Sequence, residues 1–364
     1  MPNQKLFKAA TILLIIVLTV VILVYGKPFL VPLTIAALLS MLLIPLTKYL
    51  EKKRFNRVLA IILSILTLIG FFALVIFFIS WQVTDLASDA SKIEQQVNQK
   101  YSQVQQLITE KLGIQKAKQD KMIEQQKESV PGKLSAVITG FISGAGHFIT
   151  NLIIVLVYIF LMLYFRDKLK SFILKLVPPG RQSNASAVIG KSQQVAQKYL
   201  GGLALMIVGL WIMYGIGFTI VGVKNAIFFA ILCGLFEIIP FIGNLVGTAL
   251  TVTMALVQGG DINMVIGILV TYGTVQFIQT YILEPLVVGS EVNLNPMATI
   301  IGLVAGEMVW GIAGMVVAIP LMGISKIIFD HIDGLKPYAY LLGEEKKKSS
   351  GGFTEKIKSL FGKK

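Results

Sequence analysis

The sequence predicts an all-α, polytopic helical membrane protein, and three observations carry that prediction. Of the 364 residues, 55% are hydrophobic and only 14% are charged. Mean hydropathy is +0.76, far from a soluble surface, which needs much more charge. Several runs exceed the roughly 18 apolar residues that mark a membrane helix. The expected architecture is about six full spans plus two broken or re-entrant hairpins, or about eight spans, with an external helical domain.

The net charge is +14. In a soluble protein that would suggest nucleic acid. Here the excess cations read as the cytoplasmic loops of a membrane protein, and no nucleic-acid partner is expected. Cys233 is the single cysteine, so neither an internal disulfide nor a cysteine metal site can form.

The first unit, residues 1–81, holds three spans. Thr11 to Tyr25 is apolar and follows Lys5 and Lys8. A signal peptide also starts this way, but the next apolar run, Phe29 to Leu46, begins after only Gly26, Lys27 and Pro28. Two spans in a hairpin fit better. Lys48 to Arg57 then carries five cations and one acid, which places it in the cytoplasm by the positive-inside bias. The N-terminus is cytoplasmic by the same logic, and the third span, Val58 to Ser80, leads outward.

Residues 82–133 form the longest polar stretch. Leu86, Ala90, Ile93, Val97, Tyr101, Val104 and Ile108 recur at spacings of three and four, an amphipathic helical stripe. The odd number of preceding spans places this domain outside. It suits packing on itself or on sister subunits, and a homo-oligomer is expected. A fourth span, Gly146 to Phe165 within 134–166, returns inward. Residues 167–200 are basic and broken by Pro178, Pro179 and Gly180. Their second half puts Val188, Ser192, Val195 and Tyr199 on one face, suiting a cytoplasmic amphipathic helix. A fifth span runs from Leu203 to Val223. Residues 329–364 read as a basic, cytoplasmic and largely disordered tail.

Several motifs fail. His147 and His331 lie in different regions, and no HExxH is present, so no metal site is expected. Gly190 to Ser192 spells GKS, but position 185 is Ala185 where a phosphate loop needs glycine. Ser143 lacks the spacing of a hydrolase elbow. Nothing points to an enzyme or a cofactor.

The informative part is the core of residues 201–328, and within it two interrupted apolar stretches. One is Ala226 to Gln258, broken around Glu237, Pro240, Gly243 and Asn244. The other is Met297 to Lys326, broken around Gly306, Glu307, Gly311 and Gly314. A carboxylate in hydrocarbon costs at least about 2.5–3.5 kcal/mol, and broken backbone exposes groups lipid cannot satisfy. Both costs fall if the break faces a watery cavity. Half-helices of roughly 14 residues reach about 21 Å, past the middle of a core of about 30 Å but short of crossing it. Each stretch follows a fuller span (Leu203–Val223 and Met264–Leu283), so the core reads as two units, inverted if the first crosses an odd number of times. Tyr272, Gln276 and Gln279 share one face of the second of these spans. They suit either interhelical hydrogen bonding or a pathway lining. Gly140-x-x-x-Gly144, Gly243-x-x-x-Gly247 and Gly302-x-x-x-Gly306 are helix-packing candidates.

Three stretches carry a resemblance. "EIIPFIG" (Glu237–Gly243), "YILEPLVVGSEVNLNPMA" (Tyr281–Ala298) and "GEMVWGIAGMVVAIPL" (Gly306–Leu321) resemble, in order and spacing, the C-terminal signatures of the autoinducer-2 exporter family of bacterial permease-like proteins. That resemblance implies a multi-pass protein of the bacterial inner membrane that moves a small-molecule or ion substrate across the lipid bilayer; the charge bias places both termini in the cytoplasm. Members are associated with autoinducer-2 export and others with sodium/proton antiport. Coupling would run through Glu237, Glu284 and Glu307, with Pro240, Gly243, Asn244, Tyr272, Gln276, Gln279, Pro285 and Gly311 along the pathway. A non-transporting membrane scaffold is the competing reading.

Overall fold

The computed structural model describes residues 2–88, 109, 151–239, 242–288 and 294–344. Among them all regular structure is helical, save one bridge between Leu294 and Gly343. Six helices among the described residues are long and apolar enough to cross a membrane.

Helix α1 (Pro2–Tyr25) and α2 (Lys27–Lys52) form the first hairpin. It breaks at Gly26, where a Cβ would meet the Ile22 carbonyl oxygen at 2.5 Å, and Pro28 suits the first turn of α2. Arg54 turns the chain with φ 72°. Asn56 Oδ1 then accepts from the Leu59 amide at 2.7 Å, capping α3 (Arg57–Ser88). This helix continues past the expected end at Ser80. Otherwise residues 82–133, expected as an external domain, lie, but for Thr109, outside the described residues.

Helix α4 (Asn151–Tyr164) packs with α2 and α3. Their shared core holds Ala36, Leu43, Ile44, Ile61, Ile65, Val155, Ile159 and Leu163. The described part of this fourth expected span is short, and the chain turns at Phe165 into α5 (Arg166–Lys175).

The next helix differs from expectation. Pro179–Arg181 forms a 3-10 turn, and then α6 runs unbroken over 40 residues, Gln182–Val221. The amphipathic segment and the fifth span are one rod, and the expected boundary at 200/201 falls inside it. Gly201 and Gly202 do not break it because the neighbours are close-packed there. Gln197 Nε2 donates to the Met41 carbonyl at 2.8 Å, and Ser192, Val195 and Tyr199 are buried. Gly222, at φ 82°, ends α6 in the left-handed cap that glycine adopts cheaply.

Helices α7 (Ala226–Phe236) and α8 (Ile242–Val257) follow, then α9 (Ile262–Ile278), whose end widens into a π-helix at Gln279–Val288. Pro285 lies within that stretch. Proline lacks an amide hydrogen and crowds the preceding turn, a conflict a wider helix relieves. Helices α10 (Pro296–Trp310) and α11 (Ile312–Asp330) form the last pair. The chain past Asp330 is not wholly a loose tail. Asp333–Leu335 is a 3-10 turn, and α12 (Lys336–Leu342) is helical. Asn295 Nδ2 donates to the Leu341 and Gly343 carbonyls at 2.6 and 3.1 Å, so that segment is held against the base of α10. Residues 345–364 lie outside the described ones.

The two pairs are antiparallel hairpins. Gly243 presses on Phe236, and Gly247 on Cys233, so position rises along α8 as it falls along α7. Gly306 and Gly314 meet likewise across α10 and α11, and Gly302 meets Met322. Two of the three expected small-residue motifs are thus packing contacts. The third, Gly140 to Gly144, lies outside the described residues. The hairpins enter from opposite ends of the bundle. Asn225, before α7, donates to Gln82 Oε1 of α3 at 2.9 Å. The base of α10 instead meets α12, beyond α11, whose end lies by the start of α6, where Lys191 Nζ is 3.4 Å from His331 Nε2. Gly190–Ser192 is therefore part of a long helix and not of a phosphate loop.

Candidate transport site

The first hairpin turns within five residues, between Phe236 and Ile242. Amides keep bonding up to the break: Ile238 to the Leu235 carbonyl at 3.1 Å, and Ile239 to Phe236 at 2.8 Å. Beyond it the Gly243 amide bonds the Ile239 carbonyl at 3.0 Å. Gly243 is required by space, since any Cβ would overlap the Phe236 carbonyl. Pro240 lies outside the described residues. At about 1.5 Å per residue, the 11 residues of α7 reach about 16 Å and the 16 of α8 about 24 Å. Neither crosses a core of about 30 Å.

This short hairpin presents its polar residues to α6 and α9. Asn244, in the first turn of α8, is buried. Its Oδ1 accepts from the Tyr214 hydroxyl of α6 at 2.7 Å, and its Nδ2 donates to Gln276 Oε1 of α9. Gln276 Nε2 reaches Thr280 Oγ1 at 3.4 Å. Glu237, at the end of α7, accepts at Oε1 from Gln279 Nε2 at 2.6 Å. Helices α6 and α9 and the hairpin tip are thus stitched by side chains alone.

The network is incomplete. Glu237 Oε2, Gln279 Oε1 and the Thr248 hydroxyl are buried without a hydrogen-bond partner. A buried polar atom left unpaired costs about 1–3 kcal/mol. Two of these three atoms are acceptors. A proton on the carboxyl, a bound cation, or a hydroxyl of a bound solute would satisfy them, and an apolar group would not.

The other expected residues are placed as follows. Tyr272 is half-buried and packs on the core of α6, α7, α8 and α9. Glu284 is exposed on the π-helix. Pro285 shares that stretch; its backbone alone is described. Glu307 is exposed on the second hairpin, and Gly311 is that hairpin's tip, at φ 66°. The structure therefore gathers Glu237, Gly243, Asn244, Gln276 and Gln279, and holds Glu307 and Gly311 apart from them.

Sequence reasoning missed Tyr214, Thr248 and Thr251. Tyr214 had a usable signal. It falls at four-residue spacing among Met206, Leu210 and Phe218, all buried, and a tyrosine in an apolar stripe needs a partner for its hydroxyl. Thr251 Oγ1 donates to the Gly247 carbonyl at 2.8 Å and sits 3.7 Å from Cys233 Sγ.

Long apolar helices joined to interrupted hairpins, one of them tipped with buried polar groups, define a polytopic helical membrane protein of the kind that transporters use. The chain belongs to the AI-2E transporter family, whose pattern covers residues 12–334. Its similarity to individual members is modest and long. It is 24% identical over 311 residues to "Putative transport protein YrrI" of Bacillus subtilis, covering 84% of this chain and 87% of that one. It is 26% identical over 345 residues to "Putative transport protein YueF" of the same organism, covering 88% and 90%. A "Putative transport protein" of Borreliella burgdorferi matches at 28% over 214 residues, covering 57% and 59%. The protein is thus a multi-pass membrane transporter by family.

Proposed function

We propose that the protein is a secondary transporter that moves a small solute across the bacterial inner membrane, with Glu237 as the group that couples solute movement to protons or sodium. One observation carries this reading: Glu237 and Gln279 offer unpaired, buried acceptor oxygens at the tip of a hairpin too short to cross the bilayer. One Glu237 oxygen stays unpaired at a site that α6, α7, α8 and α9 enclose. The family associations leave two substrate classes, a small polar solute resembling autoinducer-2 and the cations of an antiporter. An acid at this position favours cation coupling.

Hairpins that enter from opposite ends of the bundle fit this reading, since transporters place their sites where inverted units meet. Cation-rich loops support cytoplasmic termini. The test is flux in proteoliposomes, scanned over proton gradients, sodium gradients and autoinducer-2. Glu237→Gln is nearly isosteric and removes only the titratable charge. It should leave the folded protein intact and strongly reduce ion-dependent flux. Normal transport with unchanged ion dependence in that variant would make Glu237 structural and remove the coupling proposal.

A further inference from the structure

We infer that α5, with the turn between α2 and α3, forms a docking surface for the headgroups of an anionic phospholipid bilayer. The helix is unusual for its place. None of its residues is buried, although Leu169, Phe172, Ile173 and the following Leu176 recur at the spacing of one helical face. These four side chains are between 44% and 69% exposed. On a helical wheel they span an arc of roughly 100°. Lys168 flanks that arc on one edge and Lys170 on the other, with Lys175 beside Lys168. An apolar stripe bordered on both sides by lysines is the pattern of a helix lying in the membrane interface, its stripe toward the acyl chains and its lysines at headgroup level.

The surroundings specify the charge of the partner. The segments Lys48–Arg57 and Arg166–Lys175 together hold nine basic residues and two acidic ones. The structure brings these segments together and uses both acids internally. Arg57 Nη1 donates to Asp167 Oδ2 at 2.7 Å, and Arg166 Nη2 to Glu51 Oε2 at 2.5 Å. Arg57 Nη2 also donates to the Leu163 carbonyl at 3.1 Å, beside the turn at Phe165 where α4 gives way to α5. The clasp fixes where α5 leaves the bundle. It also neutralises the local acids, so the surface left over is strongly positive. Aromatic rings sit among the cations: Lys53 lies 5.0 Å from the Tyr49 ring, Arg57 5.8 Å from Tyr164, and Lys168 5.8 Å from Phe165. Aromatic and basic side chains mixed at one level mark a membrane–water boundary. Basic clusters of this kind attract anionic lipid.

The inference does not rest on the transport proposal and is tested apart from it. The full chain, in a Cys233→Ser background, carries a nitroxide spin label at Phe172→Cys or, on the opposite face, at Ser171→Cys. It is placed in nanodiscs of pure phosphatidylcholine or of phosphatidylcholine with phosphatidylglycerol. At position 172 the label should collide with oxygen more than with a water-soluble nickel chelate, and at 171 the order should reverse. The contrast should be larger with phosphatidylglycerol present. Each of Lys168→Gln, Lys170→Gln and Lys175→Gln should lower the protein's preference for phosphatidylglycerol roughly fivefold, as expected for one basic side chain at an anionic surface. Equal water exposure at 171 and 172 would overturn the docking surface. Insertion at 172 that is indifferent to phosphatidylglycerol and to the lysine changes would overturn its selectivity for anionic lipid. Size-exclusion elution at the wild-type volume guards against reading misfolding as loss of docking.

Discussion

The two hairpins of the core look alike in sequence and differ in what fills them. Each is an apolar stretch with a glutamate ahead of its glycines, and each folds back on itself through glycine contacts. In the first, α7–α8, the tip carries Glu237 into contact with Gln279, and Asn244 is clamped between Tyr214 and Gln276. In the second, α10–α11, the tip is Gly311 in a left-handed turn, and Glu307 is exposed. Its ties are to the scaffold: Trp310 Nε1 donates to the Leu23 carbonyl of α1 at 2.9 Å, and Asn295 holds α12 at its base. The 19-residue α11 is also long enough to cross, whereas both arms of the first hairpin fall short. A helix break and a nearby acid therefore do not by themselves define a site. What separates the two is whether neighbouring helices bring amides and hydroxyls to the same depth.

The largest expected effect tests that division directly. Glu237→Gln should lower ion-coupled flux by at least about tenfold, equivalent to about 1.4 kcal/mol on the limiting step. Glu307→Gln should change it little. Proteoliposome flux at matched protein content measures both. Comparable losses in the two variants would erase the distinction and restore a pathway that engages both hairpins.

Next in size is the cost of filling the glycine contacts, which the hairpins share. A Cβ on Gly243 overlaps the Phe236 carbonyl, and one on Gly306 would lie 2.6 Å from the Gly314 carbonyl oxygen. Backbone cannot yield as a side chain can. Gly243→Ala and Gly306→Ala should each destabilise by at least about 1–3 kcal/mol, the usual range for overpacking. Gly273→Ala is the control, because nothing lies within 4 Å of its Cβ position. Thermal unfolding in detergent should separate the first two from the third. A Gly243→Ala protein as stable as the control would mean that the hairpin is not closed as described.

How much of this was legible in the sequence follows from which forces are local. Length and hydropathy report the bilayer, so the spans and both interruptions were readable. Gly-x-x-x-Gly spacing reports close helix approach, and Gly243, Gly247, Gly302 and Gly306 all make such contacts. The face holding Gln276 and Gln279 was readable too, because helical period is a local property. Which partner each amide takes was not, since that depends on where α6, α8 and α9 cross. The partner of the Tyr214 hydroxyl stayed hidden for that reason, although its place in a buried stripe was readable. The continuity of α6 was missed because residues up to 200 read as amphipathic and Leu203–Val223 as apolar, and only the contacts at Gln197 and Tyr199 show them as one rod. Glu307 looked like the counterpart of Glu237 because sequence shows a residue's neighbours along the chain and not across it.

A smaller effect sharpens the difference between the two tips. Tyr214→Phe removes the donor to Asn244 and leaves a buried acceptor unpaired, which should cost about 1–3 kcal/mol. It should also alter transport, since Asn244 then loses its fixed orientation. Trp310→Phe removes one bond to the last turn of α1, and a typical hydrogen bond contributes only about 0.5–1.5 kcal/mol net. It should leave flux per folded protein unchanged. A transport defect in Trp310→Phe equal to that in Tyr214→Phe would place the second tip on the pathway as well.

The smallest effect lies outside the bilayer, at the anchor of the second hairpin. Asp333 opens the turn that leads into α12, and Lys336 Nζ donates to its Oδ1 at 2.8 Å. That hydrogen bond, then the Lys336 charge, and lastly the Arg181 charge hold the Asp333 carboxyl below the usual aspartate range. The fold therefore favours the ionised form more than the unfolded chain does. The resulting stabilisation is fully present above the ordinary aspartate range and is lost as pH falls through the lower folded value. Because Asp333 is exposed, water screens most of the effect, so it should appear locally and not in global unfolding. Hydrogen exchange at the amides of α12 should be steady from neutral pH down to the ordinary aspartate range, after correction for intrinsic rates. Protection should fall only below that range. Asp333→Asn should remove the acid limb and lower protection slightly at neutral pH, while exchange in α7 and α8 stays as in the wild type. If protection in α12 does not respond to this substitution at any pH, then Asn295 and its contacts at Leu341, Leu342 and Gly343 hold the anchor without help from the ion pair.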